Sequence, residues 1–194
     1  AKESYGKGAA LAGVKINLEF ISANPTGPLH LGHTRWAAVG DALGRVLSAA
    51  GAEVVREFYI NDRGNQMDLF GQSVQAAALG QPIPEDGYQG DYILDLAKQV
   101  LAENPEIIKL EAEPRLVAFR ETAYKLQLKD QQRVLDTFDT HFDVWFSERS
   151  LHESGAVEHG LAKLREQGHV FEDAGAVWLR TTDFGDDKDR VIVK

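Results

Sequence analysis

Two histidines and the glycine between them, in Pro28-Leu29-His30-Leu31-Gly32-His33, are the residues of this chain whose types and spacing best suit chemistry. A strand-like stretch, Val14 to Ser22, runs into the turn Ala23-Asn24-Pro25-Thr26-Gly27, and His-x-Gly-His then opens a helix. Residues three apart at a helix start share a face, so both rings can meet one bound group. Gly32 leaves room for a flat ligand to approach the backbone. The helix end adds free N–H groups and a partial positive charge that suit a phosphate. As a zinc site the pair lacks a third ligand and the H-E-x-x-H spacing. A lone helical histidine is more often structural, but two around a glycine at a strand-to-helix turn are less easily explained that way. The set reads as nucleotide handling.

The elements that must position these residues follow from periodicity. Val14 to Ser22 alternates apolar and polar as a strand does, and Thr34 to Ala50 has helical spacing ended by Gly51. Glu53 to Ile60 reads as a second strand. Asn61-Asp62-Arg63-Gly64-Asn65-Gln66 follows, then a helix to Leu79 ended by Gly80. Strand, helix, strand, helix predicts a βαβ unit of a parallel sheet, with both polar turns at strand C-terminal ends, where ligands bind. Gln81 to Gly90 is loop-like, and helices are expected over Asp91 to Glu103 and Glu113 to about Thr140, with Pro114 in the first turn of the latter. Val144-Trp145-Phe146 is a short strand candidate. Ser154 is the expected cap of a helix running to Gln167, and His169 to Thr181 a hairpin turning near Asp173-Ala174-Gly175. The expected fold class is α/β: a partial Rossmann-like parallel-sheet nucleotide-binding fold interrupted by an α+β connective insertion. Its divisions are a linker over 1–12, the first half of the sheet domain over 13–80, the insertion over 81–189, and a resumed main sheet over 190–194.

Bulk properties narrow the function classes. The 194 residues hold 43% hydrophobic and 26% charged residues, enough for a sizeable core. A net charge of −9 argues against a strong nucleic-acid surface on this piece alone. There is no cysteine, hence no disulfide partner and no thiolate metal site. No apolar run suggests a membrane span or a signal peptide, and a cytoplasmic setting is expected. The chain begins at Ala1 and ends in a strand-like pattern at Lys194, so it is expected to be cut from a longer protein and inactive alone.

The segment Glu19-Phe20-Ile21-Ser22-Ala23-Asn24-Pro25-Thr26-Gly27-Pro28-Leu29-His30-Leu31-Gly32-His33 resembles the signature of class I aminoacyl-tRNA synthetases, and within them of the arginyl-tRNA synthetases. Asn61 to Gln66 is similar to that family's second core motif, and Asp187 to Lys194 to the segment where its core sheet resumes. The His-x-Gly-His set alone is shared with other class I synthetases and nucleotidylyltransferases; the lead-in is what narrows it.

The resemblance implies a whole enzyme that joins arginine and ATP into arginyl-adenylate plus pyrophosphate, then esterifies tRNA(Arg). It implies Mg²⁺ with the ATP and a requirement for tRNA during activation. His30 and His33 would be the catalytic residues. Together with Pro25, Gly27 and Gly32 they would hold ATP. Asn24 would bind the substrate α-ammonium, with Ser22 close by, and Glu19 would face the guanidinium. A carboxylate matches that planar donor fork, yet Glu19 also reads as a solvent-facing strand residue or the partner of a protein arginine. Asp62 and Gln66 can line the site or cap the following helix, and Arg35 can face phosphate or solvent. Gly27 departs from the many members that carry lysine there, so a working lysine is expected in a KMSK-type loop beyond Lys194. The insertion, by resemblance, contacts the tRNA acceptor end. Two rivals remain: a free-standing nucleotidylyltransferase, which leaves Glu19 and Asn24 unexplained, and a non-catalytic module that binds RNA or a protein.

Overall fold

Val54, Phe58 and Ile60 put apolar groups on one face of one strand, with Phe58 and Ile60 buried, while Val55 on the other face is exposed. That strand, β2 (Glu53–Ile60), is the centre of a parallel sheet with β1 (Lys15–Glu19) and β3 (Val144–Ser147) on either side. The register sets Glu19 beside Glu57, and Ile60 beside Ser147. All three strands therefore end on the same side. The computed structural model describes residues 5–194. These divide into two units, one reaching Glu148 and one spanning Arg149–Lys194.

In the first unit, helix α1 (Leu31–Ala49) connects β1 to β2. It buries Ala37, Gly40 and Gly44, a stripe of small residues that lets the helix approach the sheet closely. Its larger apolar residues, Trp36, Val39, Leu43 and Val46, are exposed. Residues 8–11, within the expected linker, are tied to the end of α1: Gly8 N–H donates to Ala49 O and Leu11 N–H to Ala50 O. The first four residues lie outside the described ones.

The path from β2 to β3 is helical: α2 (Asn65–Ala78), α3 (Asp91–Glu103), a 3₁₀ turn (Pro105–Lys109) and α4 (Ala112–Thr137). Met67, Phe70, Val74, Ile93, Val100 and Phe119 close a core among these helices. A second core joins Ile21, Ala37, Phe58 and Ile60 to Leu135 of α4, with Phe142 and Trp145 packed against it. The otherwise polar α4 buries Phe119, Ala123, Gln127, Gln131 and Leu135, one position every four residues.

Two expectations about the sheets are corrected. Val144–Ser147 lies inside the segment expected as an insertion, yet it pairs with β2. Arg190–Val193, expected to resume that sheet, is instead the third strand of a separate antiparallel sheet. Four apolar-rich residues mark a strand by their alternation, but alternation carries no information about the partner.

The second unit holds most of α5 (Glu148–Glu153), then α6 (Ala156–Glu166), β4 (Val170–Asp173), β5 (Ala176–Leu179), a 3₁₀ turn (Thr181–Phe184) and β6 (Arg190–Val193). β4 and β5 form the expected hairpin, turning through Ala174 and Gly175, both at positive φ (49° and 78°), as a tight two-residue turn requires. β6 adds antiparallel to β5. The cap of α6 is Gly155 rather than Ser154, whose hydroxyl donates back to Leu151 O at 3.3 Å.

Candidate active site

The chain leaves β1 abruptly. Ser22 N–H donates to Phe20 O at 2.9 Å, closing a three-residue turn on Ile21. Ile21 and Ser22 both have positive φ, 67° and 42°. A β-branched residue there is strained, and such strain persists only where the surroundings over-determine it. Here Ile21 is buried in the sheet core and Ser22 is held at both ends. Tyr59 N–H donates to Ser22 Oγ at 3.1 Å, and Ser22 Oγ donates to Glu19 Oε1 at 2.8 Å. Glu19 thus has a fixed carboxylate, with Ser22 as its orienting group, and is exposed toward a ligand.

Carboxylates gather around Tyr59. Burial pushes its phenol above the ordinary value, and Glu148, Asp62 and Glu19 push it the same way. Such a concentration of negative charge at the strand ends suits a cation. Asp62 itself is buried, and its Oδ2 accepts the Tyr124 hydroxyl at 2.9 Å and the Ser147 hydroxyl at 2.6 Å. Its alternative role as a helix cap does not hold: the N-cap of α2 is Gly64, with no side-chain cap bond.

Asn24 and Gln66 meet, Asn24 Nδ2 donating to Gln66 Oε1 at 2.9 Å. The turn that Asn24 belongs to contains Pro25 and Pro28, which carry no N–H. Its carbonyls therefore need donors from elsewhere. Tyr92 of α3 donates its hydroxyl to Thr26 O at 3.1 Å. Gln131 of α4 donates Nε2 to Asn24 O at 3.0 Å and to Gly27 O at 2.8 Å. Burial pushes the Tyr92 phenol up to about 12, so it stays a donor at any working pH.

His30 and His33 start α1 by capping each other. Gly32 N–H donates to His30 Nδ1 and His30 N–H donates to His33 Nδ1, both at 3.1 Å. The rings stack with centroids 3.9 Å apart. Because each Nδ1 accepts, the network assigns the neutral tautomer with the proton on Nε2 to both rings. Burial, and then the neighbouring His30, lower the pKa of His33. The site therefore presents two neutral Nε2–H donors.

Two expectations change here. The Gly32 N–H, expected to be free for phosphate, is taken by the His30 ring, and His33 N–H bonds to His30 O. The space above Gly32 is not open either: a Cβ there would lie 2.9 Å from His30 Cε1. The glycine makes room for the histidine ring rather than for a ligand in this state. Arg35 is exposed.

Sequence reasoning missed Tyr59, Tyr92, Tyr124, Gln131 and Ser147, which hold the site from behind. The available signal for Gln131 was its place in a four-residue stripe of buried α4 positions.

The family described as tRNA synthetases class I (R), catalytic domain, matches residues 2–194. An arginine–tRNA ligase of Pseudarthrobacter chlorophenolicus is 57% identical over 194 residues, all of this chain and 35% of that protein. One of Micrococcus luteus is 53% identical, again over 35% of its length. The chain thus spans about a third of the curated relatives it matches. A crystal structure described as an arginyl-tRNA synthetase from Campylobacter jejuni superposes with a TM-score of 0.87 at 34% identity, covering 99% of this chain and 43% of that one. The Thermus thermophilus arginyl-tRNA synthetase, at 24% identity, shares the fold with a TM-score of 0.68 over 100% of this chain and 35% of its own.

Proposed function

The chain belongs to the class I (R) tRNA synthetase catalytic-domain family, and from that premise we propose that it supplies one part of the active site of an arginine–tRNA ligase. The observation that carries the reading is the fixed carboxylate of Glu19, oriented by Ser22 through Tyr59 N–H, at the C-terminal end of the sheet. It offers a planar acceptor to a guanidinium, and the nearby carboxylates favour a cation. Asn24, held by Gln66, offers its side-chain oxygen to the α-ammonium.

Adenylation needs no protein nucleophile. An arginine carboxylate oxygen attacks the ATP α-phosphorus, a P–O bond forms, and the bond to pyrophosphate breaks. The protein's work is to align the two groups and to stabilise charge on the phosphate oxygens. Nε2–H of His30 and His33 would do the latter, with Pro25, Gly27 and Gly32 beside the nucleotide. Mg²⁺ would enter with ATP, held mainly by phosphate oxygens, which suits a donor set of ring N–H groups rather than oxygen ligands. A terminal hydroxyl of tRNA(Arg) would then attack the arginyl carbonyl, an ester bond forming as the bond to AMP breaks and AMP leaves. Because position 27 is glycine, the working lysine of the reaction is proposed to come from a segment outside this chain. The connective role is proposed for the stretch expected as the insertion, 81–189, apart from Val144–Ser147, which pairs with β2. A cytoplasmic setting fits this reading; among the described residues no helix is long and apolar enough to cross a membrane.

The test is ATP–pyrophosphate exchange by the full-length protein with tRNA present. Exchange should depend on arginine, and Glu19→Gln should raise the arginine KM on the order of 100-fold while leaving the ATP KM near wild type. Exchange that proceeds without any amino acid would replace this reading with a nucleotidylyltransferase.

A further inference from the structure

The strongest unexplained feature of the first unit is Gln131. It lies on α4, remote in sequence from the site, and its side chain is fully buried. Its Nε2 reaches two carbonyls at once, Asn24 O at 3.0 Å and Gly27 O at 2.8 Å. Its Oε1 is buried with no hydrogen-bond partner among the described residues. The amide cannot be turned to relieve this, because oxygen would then face two carbonyl oxygens. A buried orphan acceptor costs folding free energy, and a residue that only filled space would be replaced by an apolar one without that cost. Keeping the amide makes sense if the two carbonyls it holds matter more.

Those carbonyls bracket the turn whose Asn24 side chain reaches Gln66. Pro25 and Pro28 remove two of the N–H donors the segment would otherwise supply itself. Without Gln131 the ends of the turn have no amide to converge on, and the Asn24 backbone loses the anchor from which its side chain reaches Gln66. The histidines are different, since they are anchored at the start of α1 by their own mutual caps. Gly27 is the one group set beside the nucleotide that Gln131 touches, while both histidines keep their own caps, so losing Gln131 should disturb the amino-acid end of the site more than the phosphate end.

We infer that Gln131 is a positioning residue for amino-acid recognition, acting through the backbone of Asn24 and Gly27 to aim the Asn24 side chain. This rests on the reading of Asn24 as the α-ammonium ligand.

The experiment is a double-mutant cycle in the full-length protein between Gln131→Met, which keeps length and removes both donors, and Asn24→Ala. Arginine and ATP KM values are read separately by pyrophosphate exchange. Gln131→Met should raise the arginine KM about tenfold with a smaller change in the ATP KM. It should add little once Asn24 is already alanine, because the two act as one unit. Gln131→Asn, which retains the amide but falls short by one methylene, is measured beside it and should lie between wild type and Met; it carries the test if the Met variant does not fold. An unchanged arginine KM, equal changes in both KM values, or full additivity with Asn24→Ala would overturn the inference while wild-type arginine dependence stands. A wild type whose exchange ignores arginine would instead overturn the underlying reading.

Discussion

His33 Nδ1 accepts the backbone N–H of His30 at 3.1 Å while the two rings lie stacked 3.9 Å apart, so the start of α1 is capped by the residues proposed to meet phosphate. The cap works only with Nδ1 unprotonated. Burial, with His30 adding to it, holds the His33 imidazole below the ordinary 6.5. The unfolded chain therefore binds this proton at higher pH than the folded one. The contribution to stability is fully present above about pH 6.5 and is lost as pH falls through the folded value. An NMR titration should give His33 a midpoint below the ordinary histidine value, and thermal stability should drop on acidification with a slope that His33→Gln diminishes. A midpoint at or above 6.5 would contradict the lowering assigned to burial and the neighbouring His30.

Gly32→Ala separates stability from catalysis. The new Cβ would lie 2.9 Å from His30 Cε1 and 3.1 Å from its Nδ1, so the ring must move and its bond from Gly32 N–H is lost. Losing a cap costs about 1 kcal/mol, and replacing a helical glycine by alanine returns about the same. The melting temperature should barely change. A displaced phosphate donor should lower kcat/KM by about 100-fold. Wild-type exchange in this variant would show that the ring position is immaterial to the reaction.

The sequence made β2 and α3 legible to the residue, because β2 is a run rich in Val and Phe bounded by turns and α3 is strongly amphipathic. It was less informative where partners are distant. β1 ends before Phe20, since the positive φ of Ile21 is imposed by tertiary contacts and leaves no periodic trace. The membership of Val144–Ser147 in the first sheet depends on pairing with β2 across a long helical excursion. On α1 helical spacing did not reveal the packed face: the larger Trp36, Val39 and Leu43 are exposed, and Ala37, Gly40 and Gly44 are packed. At the candidate site, Glu19, Ser22, Asn24, His30 and His33 stand close together in sequence, so their nearness could be read from local order. Gln131 and Tyr124 were not, because a buried polar residue within a polar helix looks like surface until its partners are known.

The small face of α1 gives a stability prediction. A methyl at position 40 would overlap the Phe20 ring, which itself packs on Phe142 at 4.5 Å between centroids. Overpacking of this kind costs about 1–3 kcal/mol, only partly offset by the better helix propensity of alanine. Gly40→Ala should therefore lower stability by about 1–2 kcal/mol in urea melts. Adding Phe20→Leu should recover part of the loss; a second variant less stable than the sum of the two single changes would place the clash elsewhere.

Asp62 joins three elements at the strand ends. Its Oδ2 accepts Tyr124 from α4 and Ser147 from β3, and only 1% of the residue is exposed. Asp62→Ala removes the shared acceptor and leaves both hydroxyls short of one, so it should cost roughly 2–4 kcal/mol. Tyr124→Phe removes one donor while the carboxylate keeps the other, and should cost about 1 kcal/mol. Because the Tyr124 hydroxyl bonds to Asp62 Oδ2, the two changes are coupled: Tyr124→Phe should cost much less in the Asp62→Ala background than alone. Denaturant melts of the four proteins measure that difference directly. Strict additivity would mean that the Tyr124 hydroxyl draws its stabilisation from a group other than Asp62, and the link from α4 to the end of β2 would then rest on apolar packing alone.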